Sequence, residues 1–284
     1  MNFYDAHNHL QDERFGGRQS DLMAACVKSG VRRMVVNGSR VADWPHVLAL
    51  ARQHPQVIPS FGCHPWHLSE READWQASLA RFLDEIPSGV GEIGLDRWKP
   101  GLPYDGQEEV FVAQLRLAAE RAIPASIHCL RAWGRLEQLL ASNPRPACGF
   151  LLHSFGGPVE MVKPLARLGA HFGFPGYFAR PDKERQRQVF RAVPPDRLLI
   201  ETDAPDQCLP DALVQFPLHG PCAETGAVPS GHRLADPARA SGRPLNHPAN
   251  LAAVYDYVAR MLDEPIESLA PRIEENFHRL FRAL

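Results

Sequence analysis

Asp5, His7 and His9 open the chain in the phrase "DAHNHL". On a strand, alternate side chains share a face, so the three are expected to project together. Two imidazoles on one face can hold a metal ion between them. The pair by itself carries little, because isolated His-x-His pairs are commonly incidental. Partners of the same chemistry follow along the chain. They are His64 in "SFGCHPW", Glu92 in "VGEIGLD", His128 in "ASIHC", His153 in "FLLHSF" and Asp203 in "LLIETDAP". Imidazole and carboxylate suit Zn, Mn, Fe or Ni and need no thiolate. His7, His9, His128, His153, Glu92 and Asp203 exceed what one tetrahedral ion takes. Two divalent cations sharing a bridging carboxylate are therefore expected, with zinc foremost and Mg, Mn or Ni as alternatives. Such a site activates a water for hydrolysis. The free oxygen of Asp203 would steer that water or accept its proton.

Elements of two kinds must position these groups. Short apolar runs read as strands: 3–9, 31–37, 57–62, 89–92, 125–128, 148–153, 170–173 and 198–201. Amphipathic stretches fill the gaps, at 21–29, 44–54, 75–85, 107–121, 132–141, 159–168 and 183–193. This alternation predicts an α/β fold, a parallel TIM (β/α)8 barrel. Two further helical stretches, 248–262 and 266–284, form a C-terminal extension packed outside it. An open doubly wound sheet is the alternative, but G-x-G-x-x-G is missing after the first strand. In a barrel the metal-competent residues converge on the mouth at the strands' C-terminal ends. The Pro- and Gly-rich segment 206–247 shows no period and reads as a long rim loop over that mouth.

With 284 residues, 44% of them hydrophobic, the chain reads as a single domain with a sizeable core. A net charge of −2 supplies no broad basic field for nucleic acid, although a local patch would serve. The six cysteines form no C-x-x-C pair, no apolar run is of membrane length, and no signal peptide is expected where Asp5, His7 and His9 stand. A cytoplasmic protein with reduced thiols is expected.

The motifs "DAHNHL", "GCHPW", "GEIGLD", "IHC", "LLHSFGG" and "LLIETDAP", in this order, resemble the TatD-like hydrolases. The resemblance extends through "QEEVFVAQLRLAAERAIPASIH" to "NHPANLAAVYDYVARML" and so covers nearly the whole chain. It implies a metal-dependent deoxyribonuclease on a TIM barrel. It also implies roles: His7, His9 and Asp203 on a first ion, Glu92 bridging, and His128 and His153 on a second. By the same resemblance His64 touches substrate or handles a proton, and Asp5 orients its strand. The catalytic groups are then Asp203, Glu92 and His64.

The chain departs from the family on the substrate side. "HCLRAW" has Leu130 at the family's arginine position and Arg131 one place later. "LNHP" has Leu245 and His247 for Arg and Glu, and "DRW" has Arg97 and Trp98 for an aromatic pair. Arginine forks recognise phosphate, so Arg97, Arg131 and Arg180 are candidate replacements. The expected substrate is DNA, single-stranded included, cleaved at phosphodiester bonds. An amide, ester or lactone hydrolase on the same scaffold is the alternative, and a silent binding protein a second. The basic run 179–197 reads as the solvated face of a helix, and Trp66 as a stacking surface or a pocket wall.

Overall fold

Each apolar run of the first 201 residues becomes a strand, and each strand pairs in parallel with the next. They are β1 (Phe3–Asn8), β2 (Val31–Asn37), β3 (Val57–Phe61), β4 (Gly89–Asp96), β5 (Ala125–Leu130), β6 (Phe150–Leu152), β7 (Ala170–Pro175) and β8 (Leu198–Glu201). The computed structural model describes residues 1–220, 243–282 and 284. Strands covered on both faces read as nearly continuous apolar runs, and Phe61, Phe150, Phe172 and Phe174 are fully buried.

The seam between β1 and β8 closes beyond the strand ends. The Asp203 N–H donates to the His7 carbonyl (2.9 Å), and the His9 N–H to the Ala204 carbonyl (2.8 Å). The buried Asp5 carboxylate accepts from the Thr202 N–H (2.9 Å) and hydroxyl (2.6 Å), across the same seam. The result is a nearly closed (β/α)8 barrel.

Seven helices lie between the strands: α1 (Gln19–Lys28), α2 (Trp44–Gln53), α3 (Trp75–Glu85), α4 (Gln107–Glu120), α5 (Trp133–Ser142), α6 (Val162–Arg167) and α7 (Glu184–Arg191). Two more, α8 (Leu251–Leu262) and α9 (Ile266–Phe281), cover the seam from outside. The buried Tyr255 hydroxyl of α8 accepts from the Tyr4 N–H and donates to the Tyr4 carbonyl, each at 3.0 Å. Asn276 of α9 donates to the Leu198 carbonyl (2.9 Å). Among the described residues no helix is long and apolar enough to cross a membrane.

Three features differ from the expectation. β4 runs four residues past Glu92, to Asp96. Gly94 makes this possible: at φ +149°, a Cβ there would stand 1.9 Å from the His128 carbonyl oxygen. Only glycine lets β4 and β5 approach this closely. The basic run is not wholly a solvated face. Arg187 is buried, donating to the carbonyls of Phe178 (2.9 Å), Arg180 (2.5 Å) and Pro181 (3.3 Å). The rim segment is regular at its base, where β9 (Leu218–His219) pairs antiparallel with β10 (Pro244–Leu245). Its middle, 221–242, lies outside the described residues, and Cys222 with it. The other five cysteines are free thiols.

Candidate metal centre

The six expected ligands and His64 meet at the C-terminal mouth of the barrel. His7 lies on β1 and His9 just beyond it, Glu92 on β4, and His128 on β5. His153 follows β6 and Asp203 follows β8. His64 is delivered by the loop after β3, where its N–H donates to the Ser39 carbonyl (2.9 Å).

Glu92 stands at the centre, and its two oxygens face opposite groups. Oε2 is 3.1 Å from His9 Nε2 and 3.5 Å from His7 Nε2. Oε1 is 2.8 Å from His153 Nε2, 3.1 Å from His128 Nδ1 and 3.2 Å from His64 Nε2. Asp203 Oδ1 lies 3.6 Å from Nε2 of both His7 and His9. Three overlapping sets of donor atoms fall within 4.8 Å of one another: His7–His153–Asp203, His7–His9–Glu92 and His64–Glu92–His128. The rings of His7 and His153 stack at 4.0 Å, so the two halves of the cluster touch.

The outer nitrogens decide which inner ones carry lone pairs. His9 Nδ1 lies 2.8 Å from the Asn37 carbonyl, which only accepts, so a hydrogen is there and Nε2 is the bare nitrogen of the neutral ring. His128 Nε2 lies 3.1 Å from the Asp96 carboxylate, so Nδ1 is bare toward Glu92. Bare nitrogens aimed at a carboxylate repel it unless a cation or a proton lies between. Bonds of about 2.1 Å to a tetrahedral ion place neighbouring donors roughly 3.4 Å apart, which matches the spacing here. The donor set therefore fits divalent metal. His64 is the exception. Its Nδ1 accepts from the Trp66 N–H (3.1 Å), so Nε2 carries the hydrogen and points it at Glu92. His64 lies among the possible ligands, but its hydrogen bonding makes it a donor toward Glu92.

The charges are coupled. Burial opposes ionisation of Glu92, yet the imidazoles of His64, His153 and His128 hold its carboxyl well below the usual range. Burial likewise opposes a charge on His9, but Glu92 and Asp203 raise it to about 9. His153 is raised well above its ordinary value despite burial, chiefly by Glu92. His128 is also raised against burial, by Asp96 and Glu92. Burial dominates at the other three, lowering His64 to about 3 and His7 well below normal, and raising Asp203 to about 6.

Asp5 does not face the cluster beside His7 and His9. Its carboxylate binds Thr202 and Asn8 and so ties β1 to the segment after β8, in keeping with an orienting role rather than a ligand's. Cys63 and Cys129 are buried, with thiols pushed up by burial, and belong to none of the three sets.

Two carboxylates behind the cluster escaped the sequence reading. Asp96 accepts from four donors: His128 Nε2, Trp66 Nε1 (2.6 Å), and the N–H groups of Trp98 (2.7 Å) and Lys99 (3.0 Å). Burial opposes its charge, but these bonds hold it well below the carboxylate range. Its signal was present, because Glu92, Gly94 and Asp96 alternate along one strand. Glu201 is fully buried. Its Oε1 accepts from the Ser154 N–H (2.6 Å) and hydroxyl (2.7 Å) and lies 3.7 Å from His153 Nδ1. Gly173 makes the room, since a Cβ there would overlap Glu201. Gln207 links Asp203 Oδ2 (2.7 Å) to the Ser154 hydroxyl, so the oxygen expected to be free is hydrogen-bonded.

The substrate-side substitutions divide. Leu245 lies in the β9–β10 ribbon, and His247 Nδ1 caps the turn before α8 by accepting from the Ala249 N–H (3.0 Å). Arg97 lies 3.4 Å from Glu108, and Arg180 3.9 Å from Asp182. Arg131 is exposed beside the end of β5, with no ion pair to a described residue.

A family model described as TatD related DNase matches residues 4–282. The chain is 26% identical to the uncharacterized metal-dependent hydrolase YjjV of Escherichia coli K12, over 98% of this chain and 97% of that one. It is 29% identical to the 3′-5′ ssDNA/RNA exonuclease TatD of Pantoea vagans, over 98% of this chain and 99% of that one. The crystal structure of YjjV, a TatD homolog from E. coli K12, matches with a TM-score of 0.82 at 25% identity, covering 99% and 98% of the two chains. Barrel, cluster and similarity agree: the chain belongs to the TatD-related DNase family and is a metal-dependent hydrolase.

Proposed function

We propose that the protein is a two-metal phosphodiesterase that shortens single-stranded nucleic acid from an end. The observation that carries this is the division of Glu92, one oxygen toward His7 and His9, the other toward His128 and His153. In this reading His7, His9 and Asp203 would hold one divalent cation and His128 and His153 the other, with Glu92 shared between them. Zinc is the first choice for this donor set, with Mn, Mg or Ni as alternatives. Bound there, the cations supply an activated water and screen charge building on the phosphoryl group.

The chain's own residues do the rest. Asp96 and the Asn37 carbonyl fix the tautomers of His128 and His9. Asp203, held by Gln207 at Oδ2, accepts the water's proton. His64 turns its Nε2–H from Glu92 to a phosphate oxygen. Arg131 meets the next phosphate along the strand. The relatives named as exonucleases support nucleic acid as substrate, and they do not favour an amide, ester or lactone.

The test is metal analysis of the purified protein, followed by assay of 3′-labelled single-stranded DNA and RNA with Zn, Mn or Mg. Stepwise loss of terminal nucleotides, abolished by chelator, is expected. Metal uptake without cleavage, alongside turnover of an amide or ester, would overturn the nuclease reading. A protein that takes up no metal would overturn the site itself.

A further inference from the structure

Two tryptophans stand at the barrel mouth on neighbouring loops, and the structure separates their roles. Trp66 is already engaged. Its Nε1–H donates to Asp96 (2.6 Å), the Lys99 ammonium lies 3.8 Å over its ring, and its ring meets His64 and His128 edge-on. It is a wall of the site. Trp98, two residues past Asp96, is 50% exposed. Among the described residues its indole takes part in no ring stack, cation–π contact or hydrogen bond. Leaving so large an apolar surface in water forgoes burial energy, and an isolated exposed indole at a mouth invites a ligand.

The segment carrying Trp98 is held in place. Its own N–H and that of Lys99 donate to Asp96 Oδ1 (2.7 and 3.0 Å). Gln107 bonds both the N–H and the carbonyl of Asp96 (2.8 and 3.1 Å) and the Pro103 carbonyl (3.2 Å). The Tyr104 hydroxyl donates to the Arg97 carbonyl (3.2 Å), closing the loop on itself. The other Asp96 oxygen holds His128. One carboxylate therefore fixes both a histidine of the metal centre and the backbone under the exposed indole. Arg131 lies close by, because the Arg97 N–H donates to the Leu130 carbonyl (2.9 Å). A flat π surface and a free guanidinium at the rim match a base and its phosphate.

We propose that Trp98 is a base-stacking platform that positions a nucleotide of the single-stranded substrate at the metal centre. The proposal rests on the nuclease reading above. Stacking accepts any base, since every base has a π face, so the platform gives strand preference with little sequence preference.

The experiment compares two probes: a single-stranded oligothymidylate, and the same strand with its two 3′-proximal nucleotides abasic. The wild type should show a KM on the order of tenfold lower for the base-bearing strand. Trp98→Ala should erase that difference, and Trp98→Phe should restore part of it, with matched thermal melts confirming the fold. Quenching of intrinsic fluorescence by oligothymidylate in chelator-treated protein gives a readout independent of turnover, and it should fall in Trp98→Phe. If the wild type cleaves DNA and Trp98→Ala keeps the full discrimination, the platform is wrong and the nuclease reading stands. If the wild type cleaves neither strand, both fall.

Discussion

Asp96→Asn tests the reasoning about the site most directly, because it removes a charge and almost no volume. Four donors surround the two oxygens of Asp96, two on each: Trp66 Nε1 and His128 Nε2 on Oδ2, the N–H groups of Trp98 and Lys99 on Oδ1. An amide has one oxygen and one NH2, so either rotamer turns an NH2 against two donors. In the rotamer that keeps the oxygen on the Trp98 and Lys99 N–H groups, the NH2 faces His128 Nε2, and the relief available to His128 is to move its hydrogen to Nδ1, the nitrogen that faces Glu92 at 3.1 Å. In the proposed site that nitrogen would then be unable to take a cation. Loss of an orienting partner of this kind lowers metal affinity roughly 10- to 100-fold, or about 1.4–2.8 kcal/mol. Stability should also fall by about 2 kcal/mol, the scale of one hydrogen bond to a charged group. Competition of Zn against a chelator measures the affinity, urea melts the stability, and 15N chemical shifts the His128 tautomer. A folded Asp96→Asn protein with wild-type metal affinity and an unchanged tautomer would refute the role given to Asp96.

Three other perturbations follow from the same structure. Glu92→Gln keeps the side chain's size but not its paired anionic oxygens, so metal content should drop and turnover disappear; near-normal activity would remove Glu92 from the bridge. Gly94→Ala places a methyl 1.9 Å from the His128 carbonyl oxygen, so β4 and β5 must part. The expected loss is about 3 kcal/mol or more, read by urea melts, and an unchanged Tm would show that the strands yield freely. His171 is fully buried on β7, and burial lowers it to about 3 despite the neighbouring Gly169 backbone. Its unfolded pKa of 6.5 lies above the folded one, so its stabilising effect is complete above pH 6.5 and drains as the pH falls toward 3. At pH 5 the loss is about 2 kcal/mol. His171→Leu should flatten the acid limb of a Tm–pH profile, and an unaltered limb would place the sensitivity elsewhere.

Much of this protein is legible along the chain. Strand and helix each leave a period in sequence, so the eight apolar runs and the amphipathic stretches between them mark the barrel. The end of each strand marks where His7, His128, His153 and Asp203 must lie. What escaped is whatever depends on a neighbouring strand. Asp96 acts on His128 and Glu201 stands behind His153 because β4 meets β5 and β8 closes beside β7, and no local period records those pairs. Asp5 meets Thr202 across the β1–β8 seam, a partner far away in sequence, so alternation alone misplaces it. In sequence Trp66 reads as a stacking surface or a pocket wall, and Trp98 only as a substitution for a family aromatic. Only the packed mouth separates them, because burial and hydrogen bonding are properties of surroundings rather than of residue type. The chain by itself thus determined the chemistry available and the end of the barrel that holds it. The tertiary structure decided which partners each ring nitrogen meets, which carboxylate stands between the histidines and which indole is left exposed, because each of those depends on side chains brought within about 3 Å by strands far apart in sequence.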